Sequence, residues 1–243
     1  IIIVLFSCIA SNIITERAAI SQQKIISNKT NEKRKEKLMV LVHNPATTAN
    51  LMDTVMALRT PNSRTETVGL HITINGEHAN KYMQSGKSEL EHAASIAAAA
   101  DMPFTIHNRL GNNIVDSIKH ASEEYEATDL IMGLADIRNV TRKYYEDFIL
   151  SVTAKNRQQT FFVRMNIPVN MIRRIVVIIP EQFTLSPGFL KSMEYIGRLG
   201  TSIGCSTHFY GNESTLNDVR SYGKSASRTE YYPMRDTNNL GWI

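Results

Sequence analysis

Cysteine is nearly absent from this chain: two residues, Cys8 and Cys205, among 243. One lies in an apolar run and the other far downstream, so no disulfide framework can form between neighbouring loops. A reducing cytoplasm is the natural compartment. No Cys-x-x-Cys, no Gly-x-Ser-x-Gly elbow and no complete Gly-x-x-x-x-Gly-Lys-Ser/Thr phosphate loop is present. Thiol redox chemistry, serine hydrolysis on a nucleophile elbow and P-loop phosphate chemistry are therefore not indicated. Aromatic residues make up 7% and form no basic-aromatic platform, which argues against nucleic acid as a partner. The apolar fraction of 42% and charged fraction of 21% exclude wholesale disorder.

Charge is missing altogether from Ile1 to Ile14. A bilayer-spanning helix needs about 20 apolar residues, so this run reads as the end of a transmembrane helix. Residues 1–15 are assigned to it. Cations follow at Arg17, Lys24, Lys29, Lys33, Arg34, Lys35 and Lys37, and cationic flanks mark the cytoplasmic side. Residues 16–36 then form a basic cytoplasmic linker. Its charges Arg17, Lys24, Lys33, Arg34 and Lys35 are membrane-proximal and suited to anionic lipid, at about 1 kcal/mol each near the surface; a solvated linker is the plainer reading. A signal peptide would carry its charges ahead of its apolar core, and a plain buried helix is the third reading of the run.

Lys37 onward is patterned for folding. Leu38 to Val42 is a continuous apolar run of strand length, suited to a strand buried on both faces. Leu51, Met52, Val55, Met56 and Leu58 recur at helical spacing and stop before Pro61. The alternation continues with strands at Thr67 to Ile74, Pro103 to Arg109, Asp129 to Gly133 and Thr160 to Arg164. Helices are expected at His78 to Ala100, Ile114 to Ala127 and around Tyr145 to Ala154. Strands alternating with helices across short connections predict an α/β fold with a doubly wound parallel sheet. After Pro168 the pattern restarts, Arg174 to Ile179 mirroring Lys37 to Val42. A helix from Phe189 ended by Gly200 and Gly204, a strand from Cys205 to Tyr210 and a third strand near Thr229 to Tyr232 complete a second, incomplete copy. In it His208 is expected to match His71 in place. The domains are drawn at 37–168 and 172–243.

Leu70-His71-Ile72 and Asp129-Leu130-Ile131-Met132-Gly133, in their places on the second and fourth strands, resemble the universal stress protein family, whose fold is adenine-nucleotide alpha hydrolase-like. The front of the chain, an apolar run into Thr15-Glu16-Arg17-Ala18-Ala19 and a basic linker ahead of tandem domains, resembles the cytoplasmic tail of bacterial monovalent cation:proton antiporters. That resemblance implies Na+/H+ or K+/H+ exchange by a membrane domain outside this sequence. In nucleotide-binding members of the stress-protein family the fourth strand runs into a glycine-rich phosphate loop. Gly133 fits its first position, Asp136 falls on the second glycine, and Glu146 and Asp147 fall on the final pair. Asn44 replaces the first-strand acid that meets the adenosine. The candidate ligand site, a degenerate nucleotide site, is His43, Asn44, His71, Gly133, Asp136 and Arg142, with Arg142-Lys143 able to meet an anion. An acid beside a phosphate costs several kcal/mol at intermediate dielectric, so no cofactor is expected, ATP or another adenine nucleotide being the one considered.

His43, His71 and His107 sit near the C-terminal ends of the first three strands, where open α/β sheets bind ligands. Three histidines can ligate zinc, but no paired helical ligand accompanies them and structural roles are expected; no metal is assigned. No catalytic constellation is found. The reading is a regulatory, non-enzymatic cytoplasmic domain at the inner membrane, partnered by its own transport domain, by the membrane surface and by a second copy as a homodimer. The rival is a free-standing nucleotide-binding stress protein.

Overall fold

The structure, a computed structural model, describes residues 36–60, 65–134, 142–164, 167–181, 183–222 and 228–234. The apolar run and the membrane-proximal cations Arg17, Lys24, Lys33, Arg34 and Lys35 lie outside these residues. Among the described residues no helix is long and apolar enough to cross a membrane.

The first sheet is built from β1 (Lys37–Leu41), β2 (Glu66–Ile74), β3 (Phe104–Gly111), β4 (Asp129–Gly133) and β5 (Gln159–Val163), all parallel in the order β3-β2-β1-β4-β5. The helices between them are α1 (Pro45–Leu58), α2 (Ala79–Ala99), α3 (Ile114–Glu124) and α4 (Arg142–Lys155). Each boundary has a local cause. Asn44 turns its Oδ1 onto the N–H of Ala46 at 3.0 Å, and Pro45, with its preset φ, opens α1. Asn113 caps α3 by accepting from the N–H groups of Val115 and Asp116 at 2.9 and 3.1 Å.

The sheet winds outward both ways from β1 and β4. Right-handed crossovers therefore put α1 and α2 on one face and α3 and α4 on the other. Side chains along β1 sort accordingly. Leu38, Val40 and Val42 pack with Leu51, Met52, Val55 and Leu90, while Met39 and Leu41 pack with Val115, Ile118, Ala121 and Val152. The two-faced burial expected of the apolar strands is observed: Leu38, Met39 and Val40 are fully buried.

Among the described residues the second sheet has three parallel strands, β6 (Arg174–Ile178), β7 (Ser206–Gly211) and β8 (Thr229–Pro233), in the order β6-β7-β8, with α5 (Phe189–Ile203) and α6 (Glu213–Tyr222) between them. Two sequence expectations are corrected here. Gly200 does not end α5; it lies within the helix, where a Cβ would come 2.9 Å from Thr207 Oγ1, so its role is close helix-to-strand approach. Gly204 ends the helix, in the left-handed conformation at φ 71° that glycine adopts without strain. His208 does not occupy the place of His71 either. The N–H of Val42 donates to the carbonyl of Leu70, and that of Ile179 to Tyr210. Tyr210 therefore stands where Leu70 does, and Gly211 takes the place of His71. The mismatch arises because β7 pairs with β6 three residues out of step with the sequence match.

The two halves are joined by one core. Tyr195 and Leu199 of α5 and Ile175 of β6 belong to the same buried cluster as Leu51, Met52 and Phe161, with the Tyr195 ring edge-on to Phe161 at 4.8 Å between centroids. Polar contacts ring this core. Glu36, at the end of the expected linker, accepts from Tyr195 Oη at 2.8 Å and from Arg198 Nη1 at 2.7 Å, and the guanidinium lies 4.9 Å over the Tyr195 ring. Asp129, fully buried at the start of β4, has Lys191 Nζ 2.7 Å from its Oδ1, though not aligned as a hydrogen bond, and accepts from Thr128 Oγ1 through Oδ2. Burial alone would raise the Glu36 carboxyl; the bonds from Arg198 and Tyr195 outweigh it and hold that carboxyl below its ordinary value. At Asp129 burial wins over Lys191 and the pKa is raised.

Candidate functional site

The crevice at the C-terminal ends of β1 and β4 is the switch point of the first sheet, where neighbouring strands lead to helices on opposite faces. His43, Asn44, His71 and Gly133 meet there. β1 runs out at His43-Asn44; β2 delivers His71; β4 ends on Gly133. The rings of His43 and His71 stack with centroids 5.5 Å apart. His71 Nδ1 lies 2.8 Å from the carbonyl of Val42, which can only accept, so Nδ1 carries the proton and Nε2 is bare. Its burial lowers the pKa despite that carbonyl, which keeps the ring neutral at physiological pH. The ring rests against Gly86 of α2, where a Cβ would come 2.2 Å from Cδ2.

Three residues not singled out from the sequence, Thr47, Thr48 and Glu89, also line this crevice. Thr48 Oγ1 sits 3.0 Å from the carbonyl of Asn44 and 3.4 Å from Glu89 Oε2, and Thr47 Oγ1 donates to Asn44 O at 3.1 Å. Glu89 comes from α2, 41 residues along from Thr48; no local sequence signal joins the two. The first turn of α1 is thus capped from within by Asn44, and a carboxylate stands beside it. That carboxylate opposes an anion such as a phosphate at this end of α1.

The remaining expected site residues are dispersed. His107 is turned away from the crevice, its Nδ1 2.8 Å from Tyr125 Oη with the rings 4.2 Å apart, so the three histidines do not converge. Among the described residues no group of three His, Cys, Asp or Glu side chains is placed to hold a metal ion. Asp136 lies outside the described residues, and Arg142 opens α4 with its side chain outside them. Glu146 and Asp147, matched without gaps to phosphate-loop glycines, lie in the body of α4 and are exposed. They therefore take no part in a loop at the end of β4. Gly133 has Leu51 Cδ2 and Thr47 Oγ1 at 3.6 and 3.7 Å from where a Cβ would stand, ordinary contact distances.

No family model matches the chain, and no curated protein matches it. Solved structures do. The cytoplasmic domain of a prokaryotic cation chloride cotransporter aligns with a TM-score of 0.58 at 12% identity, over 84% of this chain and 80% of that one. A universal stress protein from Archaeoglobus fulgidus aligns with a TM-score of 0.54 at 13% identity, over 82% and 78%. The chain has a universal stress protein-like fold. A shorter universal stress protein, solved in complex with cAMP, aligns with a TM-score of 0.43 at 13% identity over 53% of this chain and 96% of that one.

Proposed function

We propose that this chain is a regulatory cytoplasmic domain of a membrane monovalent cation:proton antiporter, acting by association and not by catalysis. The observation that carries the reading is the layout: a complete stress protein-like sheet and a half sheet fused through one buried core, an arrangement that aligns across most of a transporter's cytoplasmic domain. The uncharged run from Ile1 to Ile14 and the cations behind it support attachment to a membrane domain. The crevice supports association in place of nucleotide chemistry, since Asn44 caps its own helix and Glu89 adds negative charge.

A tethered domain influences a transporter only by interacting differently with its conformations. Removing everything from Lys37 onward should shift the pH midpoint or the apparent cation affinity of exchange, by a factor between about 5 and 150 for ordinary coupling energies, and leave exchange running. The assay is dequenching of a pH-sensitive dye in everted vesicles at matched expression. Loss of exchange despite normal insertion would make the domain part of the transport machinery; unchanged parameters would remove the regulatory role.

The alignment with a universal stress protein over 82% of this chain favours a second reading, a free-standing nucleotide-binding protein. Fractionation separates the two: the antiporter reading places the natural protein in membranes, and a wholly soluble natural protein favours the second.

A further inference from the structure

Three residues of α5 reach the base of the first sheet. Lys191, Tyr195 and Arg198 share one face of the helix by their spacing, and the two cations lie 5.9 and 4.9 Å over the ring of the tyrosine between them. They serve two carboxylates, Glu36 ahead of β1 and Asp129 at the start of β4. Glu36 Oε1 accepts from Tyr195 and Arg198, and its Oε2 accepts from the hydroxyls of Thr60 and Thr65, each at 3.2 Å. All four donors lie elsewhere in the chain, so this side chain ties the residue ahead of β1 to the second half. Arg198 also pairs with Glu194 of its own helix. Around Asp129 stand Lys191 and Tyr195 from α5, with Thr128 beside it. From β1 comes Lys37, whose ammonium is taken up by Glu126 and Glu66; from β5 comes the uncharged Gln159, which donates to Ser192 at 3.3 Å.

Tyr195 joins the two acids. Its hydroxyl has one hydrogen, and that hydrogen goes to Glu36 Oε1 at 2.8 Å. The same hydroxyl interacts with Asp129, whose buried Oδ1 has no aligned hydrogen bond. Protonated, Asp129 can donate through Oδ1 to the Tyr195 oxygen, and the chain from Asp129 through Tyr195 to Glu36 then runs in one direction with each hydrogen used. Ionised, Asp129 can only accept, and two carboxylates compete for one hydroxyl hydrogen. Burial acts in the same sense, since it favours the neutral acid. We propose that this face of α5 is a proton-operated latch: protonated Asp129 firms the hold of Tyr195 on Glu36, and so of the second half on the residue leading into β1, and ionisation loosens it. Its use as a pH input to exchange rests on the reading of a regulatory domain. The test needs no transport assay, so either can fail without the other.

The measurement is titration of the carboxyl carbons by NMR in the whole chain. Above about pH 5 Glu36, with its lowered pKa, is already ionised, so a further inflection in its Cδ shift, coincident with that of Asp129 Cγ, is the expected sign of the relay. Tyr195→Phe should abolish that inflection while Asp129 still titrates. Asp129→Asn, whose amide donates as the protonated acid does, should leave Glu36 without it at every pH. Amide exchange in α5, corrected for its intrinsic pH dependence, should quicken as Asp129 ionises, by up to about tenfold per pH unit, and stay flat in Asp129→Asn, with α3 as the unmoved control. A Glu36 signal that ignores Asp129 in the unsubstituted chain, or follows it in Tyr195→Phe, overturns the proposal. So does an Asp129 that is ionised throughout the range, and so does exchange in α5 that slows as Asp129 ionises.

Discussion

Gly86 lies in the middle of α2, where alanine in place of glycine ordinarily strengthens a helix by about 1 kcal/mol. Here the expected sign is reversed. The buried imidazole of His71 fills the space a Cβ would need, and it is held there by its bond to Val42 O. Gly86→Ala should lower stability by about 1–3 kcal/mol, the usual cost of overpacking, read from the urea midpoint; a rise would mean that the ring moves aside freely. Gly133→Ala is the contrasting case. Its Cβ meets only ordinary contacts, so stability should stay within about 0.5 kcal/mol. Titration calorimetry with ATP and Mg²⁺ should show nothing tighter than the high micromolar range, and a low-micromolar constant would restore this crevice as a nucleotide site.

At the scale of elements, apolar runs and helical periods made the alternation readable: the strands led by Lys37, Asp129 and Arg174 begin where their composition says they should. Continuous apolar composition is the signal of a strand covered on both sides, which is why the parallel sheet could be read. Register could not. His208 and His71 look alike along the chain, yet the pairing that separates them is set between strands, where no local residue records it. The junction was hidden for the same reason. Glu36 closes a basic stretch and reads as linker, and its partners Tyr195 and Arg198 lie 159 and 162 residues away.

Two acids at that junction should titrate in opposite senses. The folded pKa of Glu36 is depressed below 4.5, so the stability it contributes is present above that value and lost as pH falls through the folded pKa. The folded pKa of Asp129 is raised above 3.8, so its contribution is full below that value and lost as pH rises through the folded pKa. Glu36→Gln should therefore flatten the acid side of the stability profile, and Asp129→Asn should flatten its decline on the way to neutral pH. Urea midpoints measured across that range check both; parallel changes in the two variants would contradict the assignment.

For the molecule as a whole, the shared core predicts a single cooperative thermal transition. Arg198→Ala removes the contacts to Glu36, to the carbonyl of Leu58 and to the Tyr195 ring together. Its expected cost is about 1–3 kcal/mol, as for other half-buried charged groups left without a partner. Calorimetry should then show the second half melting ahead of the first, and a single unbroken transition would mean that the apolar contacts suffice.

The strand order of the first sheet carries a consequence for biosynthesis. β1, β2 and β3 are adjacent both along the chain and in space, but β1 receives its other neighbour only when β4 arrives, and β4 receives β5 later still. At about 5–20 residues per second, the ribosome needs roughly 3–10 s to travel from the end of β3 to the end of β5. During that interval the nascent chain holds three strands and two helices of the first sheet, an arrangement the described residues of the second half also show, with Met39, Leu41 and Leu70 not yet covered by α3 and α4. Holdase chaperones that recognise apolar sheet surface should therefore capture nascent chains most strongly within that window.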